Sequence, residues 1–159
     1  MKRLFIITVC STLLLACGNS CKKAENTSCS YKTNAKTAVQ QGSHSTKLTT
    51  ESFRNKIADI SKKEWRYIGD KPAIIDFYAD WCAPCRIIAP TIEELAKRYN
   101  GELYIYKVNI DDAPELAEKF RISAIPTIMF VPMQGEPITE RGIISMDGFE
   151  KYIKEYLQK

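Results

Sequence analysis

The stretch Ile74–Arg86 constrains this chain more than any other part. It reads Ile-Ile-Asp-Phe-Tyr-Ala-Asp-Trp-Cys-Ala-Pro-Cys-Arg. The β-formers Ile74, Ile75, Phe77 and Tyr78 make a short, nearly continuous apolar run, which suits a strand buried on both faces. After Pro84 the apolar positions Ile87, Ile88, Ile92, Leu95 and Ala96 recur at helical steps and predict a helix with one buried side. Two cysteines therefore sit at a strand-to-helix junction, Cys82 near the helix N-terminus and Cys85 about one turn further in. Unpaired N–H groups and the helix dipole at that end favour a thiolate over a thiol. The spacing puts both sulfurs on one helix face with Cβ atoms roughly 5–6 Å apart, so a small adjustment allows a disulfide. Pro84 suits the first helical turn, where no donor is lost.

The same stretch resembles thioredoxin, and the resemblance runs from about Leu48 to Lys159. It is carried by Asp76, Trp81-Cys82-Ala83-Pro84-Cys85, Pro90, Lys107 and Ile125-Pro126-Thr127. A lone Cys-x-x-Cys is weak evidence. The flanking tryptophan, the upstream carboxylate and the downstream Ile-Pro-Thr at family spacing make it strong. The resemblance implies a thioredoxin fold of the α/β class, a central mixed sheet of four to five strands with helices on both faces.

The order of elements agrees with that class. Thr49 or Thr50 can cap a first helix, with Phe53, Ile57 and Ile60 at helical spacing. Family members have a short strand just before it, for which only Thr46–Leu48 is available. The segment 61–71 is longer than the usual thioredoxin connection and is expected to extend the helix or add an aromatic flap anchored by Trp65. Strands are expected at 73–79, 103–110, 127–131 and 138–144. Helices are expected after the cysteines to about Tyr99, with a kink at Pro90, from 111 to 120, and over Met146–Leu157. Alternating strands and helices closed by a hairpin and a helix make an α/β sandwich.

The chemistry is expected at the cysteines. Cys82 is the expected nucleophile, displacing a thiolate from a substrate disulfide to form a mixed disulfide, and Cys85 then resolves it. A purely structural bridge is the competing reading, but so short a loop gains little chain entropy. Half of a zinc site is another, but it needs two more ligands, and Cys21 and Cys29 lie far off in a polar tail. No metal and no bound cofactor are expected. Asp76 stands in an otherwise apolar strand, so it must be partnered or protonated. The resemblance gives it a role in moving a proton for Cys85, with Lys107 as its partner. It also implies a cis bond between Ile125 and Pro126, opposite the cysteines. Trp81, Ala83, Pro84, Ile125, Pro126 and Gly142 would border the docking surface for an extended substrate segment. Two departures matter: Ala83 replaces the glycine commonest in thioredoxins, and Tyr78 replaces a common tryptophan. They bear on redox poise, so a net reductant and a net oxidant both stay open. A non-catalytic binding or holdase module on the same fold is the alternative from another class.

The ends of the chain suggest a location. Lys2 and Arg3 precede an apolar stretch to Ala16 that is too short to span a bilayer. Its end, Leu14-Leu15-Ala16-Cys17, resembles the lipobox of bacterial lipoproteins, which implies lipid on Cys17. An ordinary secretory peptide is the competing reading. The expected organisation is a signal at 1–16, a polar tether at 17–47 and a domain at 48–159. The tether holds the single histidine, His44, and the tail cysteines Cys21 and Cys29, which either form a small disulfide or stay incidental. Of the net charge of +4, residues 17–47 contribute +4 (five Lys, one Glu), the leader +2 and the domain −2 (16 Lys and Arg against 18 Asp and Glu). A domain without a basic stripe gives no ground for nucleic-acid binding. The expected partners are disulfide-containing proteins, a membrane electron donor or acceptor for recycling, and the membrane itself. A monomer on the extracytoplasmic, periplasmic side is expected.

Overall fold

The computed structural model describes residues 43–158. The signal at 1–16, Cys17, Cys21, Cys29 and most of the expected tether lie outside the described residues.

Five strands form one mixed sheet in the order β1-β3-β2-β4-β5. The strands are β1 (Thr46–Lys47), β2 (Ala73–Tyr78), β3 (Tyr104–Asn109), β4 (Thr127–Val131) and β5 (Ile138–Arg141). β1 and β2 run parallel to β3, while β4 runs antiparallel to both β2 and β5. The helices are α1 (Thr50–Lys56), α2 (Ala83–Arg98), α3 (Pro114–Lys119) and α4 (Met146–Tyr152), and a π-helical turn, Ile153–Leu157, extends α4.

The sheet is buried on both faces, as the composition of β2 requires. Ala73, Ile75 and Phe77 point to one side and join Phe53 and Ile57 of the α1 region and Leu116 of α3. Ile74 points to the other and joins Ile88, Ile92 and Leu95 of α2 with Phe149, Ile153 and Leu157 at the C-terminal end. Alternation along a strand sends neighbours to opposite faces, so one six-residue strand nails two helical layers together. This is the thioredoxin fold expected from the sequence, with five strands among the described residues.

Two local features refine the sequence expectation. The domain starts before Leu48. Thr46 and Lys47 pair with Tyr106 and Lys107 as β1. Just upstream, Glu93 of α2 accepts hydrogen bonds from the Ser43 hydroxyl and the His44 N–H, both at 2.9 Å, and from the Ser45 hydroxyl and N–H. Residues 43–47, assigned to the tether, are therefore held by the domain. Second, α1 stops at Lys56, capped at its start by Thr49. The segment that follows does not extend the helix, which leaves the aromatic flap of the two expected forms. Trp65 anchors it edge-on against Phe120, with ring centroids 6.0 Å apart. Pro90 stands inside α2, as expected, and the helix runs through it to Arg98.

Candidate functional site

The site forms where β2 ends and α2 begins. β2 delivers Tyr78 to the C-terminal edge of the parallel strands, and Cys82 is the N-cap residue of α2. Its sulfur accepts a hydrogen bond from the Cys85 N–H at 3.1 Å. Pro84 falls in the first turn, where its missing N–H costs nothing. Cys82 and Cys85 form a disulfide. Both are nearly buried, 3% and 4% exposed, and pack with Tyr78 and Ala79, flanked by Ile110 and Ile125.

Around this small core the surface is open and apolar. Trp81 is 67% exposed. Its indole N–H donates to the Asp111 carboxylate at 2.9 Å, which fixes the ring beside the cysteines. Ala83, Pro84 and Ile87 are exposed on the first turns of α2. The Ile125–Pro126 bond is cis, with Pro126 buried and Ile125 half-buried. Thr127 donates its hydroxyl to the Ala124 carbonyl at 2.7 Å. Gly142 donates its N–H to the Pro126 carbonyl at 2.8 Å. Its φ of +91° suits a residue without Cβ. Trp81, Ala83, Pro84, Ile125, Pro126 and Gly142 thus lie on segments that meet at the cysteines, although 61 residues separate the first from the last.

Asp76 lies below. It is 1% exposed, and neither carboxylate oxygen has a hydrogen-bond partner among the described residues. Burial pushes its pKa up to about 6, and Lys107 offsets only part of that rise. Asp76 and Lys107 are register partners on adjacent strands, yet no ion pair forms between them. The Lys107 ammonium lies over the Tyr78 ring, 4.8 Å from its centroid. Of the two options open to a buried carboxylate, a partner or a proton, the structure takes the proton up to about pH 6.

Sequence reasoning missed Asp111, which was read only as the start of a helix, and the hold of Tyr78 on Lys107. The Asp111-Asp112 pair directly after β3 was the available signal for the first. Among the described residues no group of three or more His, Cys, Asp or Glu side chains is placed to hold a metal ion. No described helix is long and apolar enough to cross a membrane.

Comparison with known proteins agrees with the geometry. The family described as Thioredoxin matches residues 44–155. The chain is 41% identical over 110 residues to thioredoxin of Borreliella burgdorferi, covering 69% of this chain and 94% of that one. It is 34% identical over 97 residues to thioredoxin of Rickettsia bellii, 61% of this chain and 92% of the relative. Against the chloroplastic M-type thioredoxin of Spinacia oleracea it is 46% identical over 74 residues, 46% of this chain and 41% of the relative. The crystal structure of chloroplastic thioredoxin z superposes with a TM-score of 0.59 at 24% identity, covering 70% of this chain and 92% of that one, a likeness of fold. A cysteine pair at this spacing in such company makes the chain a protein-disulfide oxidoreductase. With 112 of its residues, 44–155, matching the family, the chain belongs to the thioredoxin family.

Proposed function

We propose that this protein reduces disulfides of client proteins on the outer side of a membrane, to which lipid on Cys17 anchors it. The observation that carries the redox chemistry is the position of Cys82 Sγ at the N-cap of a 16-residue helix, accepting the Cys85 N–H. A thiolate there keeps a donor and the helix dipole. In the reduced protein the Cys82 thiolate attacks one sulfur of the client disulfide and expels the other as a thiolate. The Cys85 thiolate then attacks the Cys82 sulfur, which expels the first client sulfur. The client gains two electrons and the Cys82–Cys85 pair loses two. Asp76 takes the Cys85 proton, and its elevated pKa suits a group that must both accept and return a proton near neutral pH. Lys107 tempers that pKa. The client segment lies across Trp81, Ala83, Pro84 and Gly142, and pairs with backbone groups of Ile125 beside Pro126 as an added strand. A membrane electron donor restores the dithiol.

The anchor rests on Leu14-Leu15-Ala16-Cys17 and the short apolar leader before it. Each buried CH₂ of attached lipid adds about 0.8 kcal/mol of membrane affinity. Residues 18–42 then space the domain from the bilayer, the tether ending where Glu93 takes hold of residues 43–45.

The decisive experiment is insulin reduction with dithiothreitol. Wild type should accelerate it, and Cys82→Ser should fall to the rate without protein. Equal activity in the two would favour a holdase role. Cys85→Ser should trap clients as mixed disulfides through Cys82. A reduction potential far above that of reducing thioredoxins would make the protein an oxidant instead. Cys17→Ser should move it from the membrane fraction to the soluble one.

A further inference from the structure

One register row crosses the whole sheet at the level of the site: Lys47 on β1, Lys107 on β3, Asp76 on β2, Ile128 on β4 and Glu140 on β5. Paired residues in a sheet project to the same face. Two ammonium groups and two carboxylates therefore share one side of the sheet. Asp76 nonetheless makes no ion pair, and its oxygens are unpartnered among the described residues. Both lysines are drawn to a residue outside the row. Lys107 lies over the face of the Tyr78 ring at 4.8 Å. Tyr78 is also the largest influence on Lys47 and raises the pKa of that lysine, with Asp80 and Asp112 adding smaller effects. At the far end of the row, Glu140 is engaged by Tyr152. From α2 the neighbouring titratable groups are Cys82 and Cys85, joined to each other here. Ile128 on β4 brings no charge. Among the described residues Lys107 is thus the cation that acts on Asp76, and Tyr78 competes for it.

An aromatic face within about 6 Å attracts an ammonium through the ring quadrupole. Tyr78 is itself buried against the disulfide, so its ring cannot swing away without opening that cluster. We infer that Tyr78 is a positioning residue, whose ring holds the Lys107 ammonium away from Asp76 and so keeps that buried carboxyl free of an ion pair. The hold depends on the ring and not on the hydroxyl. The inference rests on the reading of Asp76 as proton carrier only for its meaning in turnover, since the contact itself is a matter of geometry.

The test is the titration midpoint of Asp76 in the full-length oxidised chain, read from the carboxyl carbon resonance by NMR, with Asp76→Asn to assign the signal. Tyr78→Leu removes the ring and lets Lys107 close on Asp76. Its midpoint should fall by about one unit or more, as pairing with a cation does for a carboxyl. Tyr78→Phe and Tyr78→Trp keep a ring and should hold the wild-type midpoint. In a Lys107→Met background, adding Tyr78→Leu should leave the midpoint where it was. An unchanged midpoint in Tyr78→Leu alone overturns the inference. So does a fall in Tyr78→Phe or Tyr78→Trp, two variants that keep the cluster filled if Tyr78→Leu does not fold. A Tyr78→Leu shift that survives Lys107→Met also overturns it. Turnover is read separately. If Asp76→Asn exchanges disulfides at the wild-type rate at every pH, the proton-carrier reading fails while the titration result stands.

Discussion

Asp76 and Glu93 are two carboxylates of one domain in opposite circumstances. Asp76 is buried within β2 with no hydrogen bond to either oxygen among the described residues. Glu93, on the outer part of α2, receives hydrogen bonds from two hydroxyls and two backbone N–H groups of residues 43–45. Burial raises the pKa of Asp76 and Lys107 recovers only part of it. Burial also acts upward on Glu93, but the hydrogen bonds from Ser45, Ser43 and His44 together outweigh it and hold the group below the usual glutamate range. The lesson is that burial alone does not set the sign of a carboxyl shift. Donors do. A domain that gives Glu93 four donors and Asp76 none stabilises charge at the first and disfavours it at the second.

The two carboxylates therefore pull stability in opposite directions with pH. The folded pKa of Asp76 lies above its unfolded value, so the native state holds the extra proton between 3.8 and about 6. Stability contributed by that group falls as pH rises through this window, and the penalty is complete above it. Glu93 behaves in reverse: its contribution is present above the unfolded pKa and is lost as pH falls through the lower folded one.

A baseline comes from the largest expected effect, which involves neither group. Phe77 is fully buried on the face of β2 opposite Asp76. Phe77→Ala should cost about 3–5 kcal/mol in urea unfolding, the same at pH 4 as at pH 8. A strongly pH-dependent loss would mean that the two faces of β2 are coupled. Next comes Asp76→Asn in the oxidised protein. Removing the ionisable group should stabilise the fold at pH 8 by about 3 kcal/mol, the equivalent of a shift from 3.8 to about 6. The gain should vanish below pH 4. In turnover the same variant should slow the step that releases client more than the first attack. A variant no more stable at pH 8 than wild type would mean that Asp76 carries its charge there with a partner.

How much of this was readable beforehand depended on distance along the chain. The cysteine pair was legible because strand, turn and helix signals lie within 23 residues, 74–96. The bounds of β4 were legible for the same reason, a threonine and a four-residue apolar run after Ile-Pro. β1 was not, because two residues carry no periodicity and their pairing is decided by β3. Pro126 and Gly142 entered only through resemblance to a family. Nothing local says that the Gly142 N–H will meet the Pro126 carbonyl. The side chain of Lys107 was assigned to Asp76 by resemblance and by its place in the neighbouring strand. Strand pairing places a Cβ, and the remaining rotatable bonds of the lysine reach the Tyr78 ring instead.

The Glu93 clasp was the least legible feature, since its partners stand 48 to 50 residues away in a stretch that reads as polar tether. It also provides the smallest effect to measure. Hydrogen bonds to a charged acceptor contribute about 1.5–3 kcal/mol when buried. This group is only partly buried, and ordering residues 43–45 costs about 1 kcal/mol or more per residue. Glu93→Gln should therefore lower stability by about 1 kcal/mol at pH 7 and by less below the unfolded glutamate value of 4.5, where the linked contribution is being lost. The local signature should be sharper than the global one. Amide exchange at His44 and Ser45 should speed up in Glu93→Gln, while exchange within β2 changes only as global stability does. If those two amides exchange as slowly in the variant as in wild type, the pairing of β1 with β3 is what holds the segment, and the contrast between the two carboxylates reduces to Asp76 alone.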